Sequence, residues 1–224
     1  IRASPIGSEM LSEDLKRCTP ARAIETLQRA TQHSDRLIGA AANSIKAFFQ
    51  SKGASLDGLC FVVVGSVGRK EALEASDLDF VPVAGTGAIL ATYSALDADL
   101  RKAIAADLKI KVSKGEDLTK SVTLTELTEA DCIGGNKDSS TALTKRILIL
   151  TESAPITGNL SINTIRRAIL DAYAKEDRTS GRHVLSFCND VARYYKTLCI
   201  EYKAKIDDEE KDCADGRGRP VDET

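Results

Sequence analysis

The run Leu59-Cys60-Phe61-Val62-Val63-Val64, continued by Gly65-Ser66-Val67-Gly68-Arg69-Lys70-Glu71 and then by Ser76-Asp77-Leu78-Asp79-Phe80, decides the reading of this chain. The first six residues are apolar throughout and rich in β-branched and aromatic side chains. They predict a buried strand that delivers Gly65 and Ser66 at its carboxyl end. Two glycines there keep side chains out of the way, so a phosphate can approach the backbone N–H groups and the Ser66 hydroxyl. A short helical turn expected over Lys70-Glu71-Ala72-Leu73 would assist. A second strand, Leu78 to Val83, alternates its side chains between faces, which sends Asp77 and Asp79 to the same side. Both carboxylates can then hold Mg²⁺ or Mn²⁺.

These residue types suit nucleotidyl transfer. When a nucleoside triphosphate is attacked at its α-phosphorus, divalent cations bridged by carboxylates activate the attacking oxygen and neutralise the pyrophosphate that leaves. Mg²⁺ prefers hard oxygen ligands, which a D-x-D pair supplies. Taken singly, a D-x-D at a strand edge reads as a solvated turn, and a Gly-Ser after a strand as a tight turn. The conjunction of strand, G-S-x-G-R-x-E, short helix and S-D-x-D is what points to a site.

At Gly65, Ser66, Gly68, Arg69, Glu71, Ser76, Asp77 and Asp79 the chain resembles the polymerase-β-like nucleotidyltransferase superfamily. It looks most like the bacterial branch that includes protein uridylyltransferases and stand-alone proteins with a helical C-terminal half. The specific match covers about twenty residues, as several short elements converging on one site would require. A weaker likeness continues through Ile133-Gly134-Gly135, Leu143-Thr144-Lys145-Arg146 and Asn189-Asp190-Val191-Ala192-Arg193-Tyr194-Tyr195. The resemblance implies that Gly65 and Ser66 bind the triphosphate, that Asp77 and Asp79 ligate the metals, and that Arg69 adds charge toward the phosphates or braces the loop. Members of the superfamily commonly use a third carboxylate from a later strand. Asp107, before Leu108-Lys109-Ile110-Lys111-Val112, and Glu126, if Val122 to Leu127 is extended, are the candidates, and Glu126 is the one assigned to the metal set. Taken singly, either acid reads as a solvated surface group rather than a ligand.

A second region of interest is the helix expected from about His183 to Lys205. Asn189, Arg193 and Lys196 recur three or four residues apart and share a face, while Val191, Tyr194, Leu198 and Tyr202 form a neighbouring stripe. Composition alone favours a solvated face over an aromatic core. The resemblance raises Arg193 and Lys196 to triphosphate or acceptor contacts, and Tyr194 or Tyr195 to a stacking surface for a base. Lys145 and Arg146 carry the same ambiguity.

With 224 residues, 42% hydrophobic and 29% charged, the chain is long enough to bury a substantial core. Its formal net charge of −2 argues against a wholly basic nucleic-acid coat. No apolar run approaches membrane-spanning length, and Ile1-Arg2-Ala3-Ser4-Pro5 lacks the apolar core of a secretory signal, so a cytoplasmic location is expected. The six cysteines, Cys18, Cys60, Cys132, Cys188, Cys199 and Cys213, show no C-x-x-C pair. They read as structural or incidental thiols rather than a disulfide framework. His33 and His183 are isolated and read as surface or helix-end residues.

The expected fold class is α/β, a small sheet with flanking helices plus a C-terminal helical lobe. Residues 1–55 form an N-terminal helical segment, with Thr19-Pro20 as its cap and Gly53 near its end. Residues 56–135 form the catalytic α/β domain, with a helix from Ala88 to Ala106 leading into a strand from Leu108 to Val112. Residues 136–206 form a helical domain, with its boundary at Gly134-Gly135-Asn136-Lys137-Asp138, and 207–224 a polar tail. The function expected is metal-dependent transfer of a nucleoside monophosphate from an NTP or dNTP to a hydroxyl on a protein, a nucleic acid or a nucleotide. The alternative is a catalytically inactive nucleotide-binding sensor or assembly subunit. Oligomerisation is left open.

Overall fold

The computed structural model describes residues 21–114, 119–129, 132–134, 140–180 and 185–214. Thr19-Pro20, Cys18, His183, the boundary residues 135–138 and the tail beyond Ala214 lie outside the described residues.

Leu59–Val63 (β1), Phe80–Ala84 (β2), Val122–Thr123 (β3) and Ala154–Gly158 (β4) form a mixed sheet in the order β3-β2-β1-β4. Strand β1 pairs antiparallel with β2, placing Val63 opposite Phe80 and Leu59 opposite Ala84. It also pairs antiparallel with β4, whereas β3 runs parallel to β2 beside Val83 and Ala84. All residues of β1 and β2 are buried, as expected for a strand covered on both faces.

The alternation of side chains along β1 divides the core in two. Leu59, Phe61 and Val63 face one layer, Cys60, Val62 and Val64 the other. The first layer is built by helices Ala21–Ser51 (α1) and Asp97–Leu108 (α4), with Gly87–Ser94 (α3) alongside. Along α1, Ala30, Ser34, Leu37, Ala41, Ile45 and Phe49 recur every three or four residues and are buried. Phe49, Phe80 and Tyr93 close around Phe61, with ring centroids 5.8, 6.0 and 5.5 Å from it. The second layer comes from Leu124–Thr128 (α5), Ser140–Thr151 (α6), Ile162–Ser180 (α7) and Leu185–Ala214 (α8). Ile147, Ile165, Ile169, Tyr173 and Tyr194 from these helices are buried against Val62, Val64 and Val81. The remaining helix is a short turn, Gly65–Gly68 (α2), directly after β1.

The α/β class stands, and several expected boundaries move. The stretch 136–206 is not purely helical, because β4 lies within it and pairs with β1. The helix expected over Ala88 to Ala106 is two helices, α3 and α4. The strand expected from Leu108 to Val112 does not form. Helix α4 runs through Leu108, Lys109 takes a left-handed conformation (φ 54°), and only Val112 makes a single parallel bridge, to Leu78. Helix α8 continues through Asp207 to Ala214, so no structural break falls at residue 206. Cys60, Cys132, Cys188 and Cys199 are free thiols, the last two exposed.

Candidate functional site

Antiparallel pairing of β1 with β2 brings the carboxyl end of one strand beside the start of the other. Val64 donates its N–H to the Asp79 carbonyl at 2.9 Å, tying the Gly65 turn to the acidic segment. The helical turn falls on Gly65–Gly68 rather than on Lys70–Leu73, and Val67, fully buried, anchors it from below. Gly65 is left-handed (φ 66°), and a Cβ built on it would project into open space. Its backbone is thus open to an approaching group. The Ser66 hydroxyl makes no hydrogen bond with a described residue.

Gly68 has a different reason to be glycine. A Cβ there would lie 2.3 Å from the Glu152 carbonyl oxygen and 2.9 Å from that of Val63. The glycine thus seats the turn against the start of the α6–β4 connection.

Leu78 and Phe80 point into the core, so the flanking Asp77 and Asp79 turn to the opposite side, half-exposed. Leu78 holds its neighbour by two backbone bonds, N–H to the Lys111 carbonyl at 2.9 Å and C=O from the Ser113 N–H at 3.2 Å. This places the Lys111 ammonium 2.8 Å from Asp77. The hydrogen bond to Asp77, the charge of Asp77 and the charge of Asp79 hold the ammonium above its usual range. Gly65, Ser66, Asp77, Asp79, Lys111 and Lys114 all open onto one cavity of about 710 Å³.

Glu152, Tyr194, Leu198 and Tyr202 line the same cavity. Glu152 accepts the Tyr194 hydroxyl at 2.6 Å and pairs with the Arg69 guanidinium. Arg69 also pairs with Glu71 at 2.8 Å, and these bonds raise its pKa. Burial, then the bond to Glu152, pushes the Tyr194 phenol above its ordinary range. Arg69 is thus a brace already occupied by two carboxylates.

The floor is fixed by Arg101, which is 4% exposed. Its guanidinium bonds Asp97 at 2.9 Å, the Ser113 carbonyl at 3.0 Å and hydroxyl at 2.9 Å, and the Thr119 carbonyl at 2.9 Å. It also stacks over Phe80, 4.2 Å from the ring centroid. Ser113 and Thr119 both line the cavity.

Four sequence assignments do not meet at this place. Glu126 lies on α5, not on a strand. It completes a capping box, accepting the Thr123 N–H at 2.6 Å while Thr123 caps its own N–H. Its neighbour β3 pairs with the far end of β2, five residues beyond Asp79, roughly 16 Å at strand rise. Asp107 accepts the Ser44 hydroxyl at 2.6 Å between α4 and α1. On α8 it is the stripe of Tyr194, Leu198 and Tyr202 that faces the cavity. Arg193 bonds Asp190 at 3.3 Å, Lys196 is exposed, and neither lines the cavity.

The weaker-likeness segments instead meet one another. Asp190, fully buried, accepts the Gly134 N–H at 3.2 Å, the Tyr173 hydroxyl at 2.8 Å and Arg146 at 3.4 Å. This is an internal polar knot that ties α6, α7 and α8 together.

The acidic pair fits a hard divalent cation. Mg²⁺ is commonly held by one or two carboxylates, with substrate phosphate oxygens and water completing its shell, rather than by a cage made wholly of protein. Asp77 and Asp79 supply such a donor set, and among the described residues no group of three or more His, Cys, Asp or Glu forms a larger one. Among the described residues, no helix is long and apolar enough to cross a membrane. In comparisons with known proteins, no family model, no curated protein and no solved structure matches the chain.

Proposed function

We propose that this chain transfers a nucleoside monophosphate from a nucleoside triphosphate to a hydroxyl acceptor, with Mg²⁺ or Mn²⁺ held by Asp77 and Asp79. The observation that carries the reading is the sharing of one cavity by the Gly65–Ser66 turn, the two carboxylates and the ammonium groups of Lys111 and Lys114. The acceptor oxygen attacks the α-phosphorus, the bond from that phosphorus to the bridging oxygen breaks, and pyrophosphate leaves. The exposed backbone of Gly65 and the Ser66 hydroxyl donate to phosphate oxygens. Lys111 and Lys114 supply cationic charge along the triphosphate, and Lys111 pairs with Asp77. Bound to the two aspartates, the cation would neutralise charge on the phosphates and lower the pKa of the attacking hydroxyl. Arg69 holds the wall through Glu152.

The same geometry lends one observation to a nucleotide-binding sensor or assembly subunit. Besides the aspartates, the one acid among the described residues lining the cavity is Glu152, which Arg69 and Tyr194 already engage. The experiment is incubation of purified protein with each labelled triphosphate, Mg²⁺ or Mn²⁺, and cell extract, reading pyrophosphate and labelled acceptor. Release that needs the cation and Asp77 supports transfer. Cation-dependent binding without release favours the sensor. No triphosphate binding overturns both.

A further inference from the structure

A second cavity, of about 550 Å³, opens between α1 and the loop 72–75, outside the site described above. Its frame is built from hydrogen bonds. The Ser34 hydroxyl, fully buried, accepts the Ala72 N–H at 3.2 Å and donates to the Ala30 carbonyl at 2.8 Å. Next to it, Lys70 pairs with Asp35 at 2.5 Å. Loop and helix are therefore fixed to each other on the cavity's inner side.

Arg29, His33 and Arg36 stand four and three residues apart on α1 and share the face that lines this cavity. None of the three side chains makes an ion pair or hydrogen bond with a described residue. Arg69, Arg101, Arg146 and Arg193 do, each with a carboxylate. Two guanidinium groups without a partner among the described residues and facing one concave space are suited to an anion, since their planar forks match phosphate oxygens in pairs. Glu74 lines the same space and sets one negative charge against the two positive ones. That balance suits a single phosphate better than a triphosphate.

Thr26 and Gln32 also line the cavity, and the rest of the lining is apolar. Ala30 and Ala72 form the floor, and Leu73, at 61% exposure, stands at the rim with no covering residue among those described. The volume falls in the range of small-molecule sites, about 300–1,000 Å³, in which an apolar wall with a few convergent polar groups fixes one ligand.

We propose that this cavity binds a small phosphate monoester with an apolar or aromatic body, its phosphate on Arg29 and Arg36 and its body against Leu73. The floor loop runs through Ser76 into Asp77, so an occupant would touch the segment that carries the acidic pair.

Phenyl phosphate is the probe, titrated into isotope-labelled full-length protein while backbone amide signals are followed by NMR. Saturable shifts are expected at residues 26–36 and 72–75, together with binding at least tenfold weaker for the double variant Arg29→Gln/Arg36→Gln. Both positions are exposed on a helix, and circular dichroism checks that the variant keeps its fold. Asp77→Asn should bind the probe with unchanged affinity, separating this site from the triphosphate cavity. Inorganic phosphate and phenol, tested alone, should each bind more weakly than the ester. The proposal is overturned if the shifts do not saturate, if they fall only on residues 64–69 and 77–79, or if the double variant binds as well as the wild type. It is equally overturned if inorganic phosphate matches the ester, or if a single-stranded oligonucleotide binds across Arg29 and Arg36 while phenyl phosphate does not.

Discussion

Two polar clusters of this molecule use the same residue types and differ in what surrounds them. In the knot of Arg146, Asp190 and Tyr173, Arg146 and Asp190 are fully buried, Tyr173 nearly so, and three helices and the Gly134 turn converge on Asp190. In the cleft, Asp77 and Asp79 are half-exposed and face a cavity, and Lys111 approaches Asp77 at 2.8 Å from a side chain that is 81% exposed. A carboxylate whose lone pairs are taken up inside the protein holds helices together. One that lines a cavity can exchange partners with a ligand. Sequence likeness drew Arg193 toward the site as well, and its bond to the fully buried Asp190 places it with the knot instead.

The comparison can be broken most sharply at Asp77. Asp77→Asn removes a charge and almost no volume, so triphosphate-dependent transfer should fall beyond about a hundredfold, the equivalent of about 2.7 kcal/mol in barrier. Its denaturation midpoint should stay near that of the wild type. Turnover at the wild-type rate would remove the aspartates from the mechanism.

Asp190→Asn is the converse test. It takes the Asp190 carboxylate away from the buried Arg146 guanidinium, and loss of one partner from a buried pair costs about 3–5 kcal/mol. Urea unfolding should show that loss. If the variant is as stable as the wild type but binds triphosphate poorly, the two clusters have been assigned the wrong way round.

Ser66→Ala tests the cleft from the ligand's side. Calorimetry should show triphosphate binding weakened by about 1.5–3 kcal/mol, the worth of one hydrogen bond to a charged group, with little change in stability.

The smallest effect is expected at Glu126. Glu126→Gln should leave transfer unchanged and cost at most about 1 kcal/mol of stability through the loosened cap. A collapse of turnover in this variant, measured beside Asp107→Asn, would return a third carboxylate to the site.

What could be read in the sequence was local. The apolar run of β1 depends on nearest neighbours and carries directly into the sheet, whereas the strand expected from Leu78 to Val83 spans Phe80–Ala84 and Leu78 makes only an isolated bridge. Glu126 also had a local signal that pointed away from the metal. Thr123-Leu124-Thr125-Glu126 has the T-x-x-E spacing of a capping box, and that spacing outweighs the strand-like Val122-Thr123 before it. The alternation of Leu108-Lys109-Ile110-Lys111-Val112 imitated a strand, but burial of Leu100 and Ile104 in α4 carries the helix through Leu108. Glu152, Lys111 and Arg101 join the site through contacts made across the fold, with no pattern around them to reveal it. Strand β4 was hidden by its composition, since Ala154-Pro155-Ile156-Thr157-Gly158 has one buried side chain and takes its place by pairing with β1.

The bonds of Arg101 bear on the thermodynamics of anything that enters the cleft. Ser113 and Thr119 are already held by a guanidinium that is itself fixed by Asp97 and by the Phe80 ring. A ligand meeting them does not have to immobilise a wandering backbone, so less of its interaction energy is lost to ordering the protein. Affinity at this wall is therefore governed by how well a ligand's groups match a surface whose shape is set in advance.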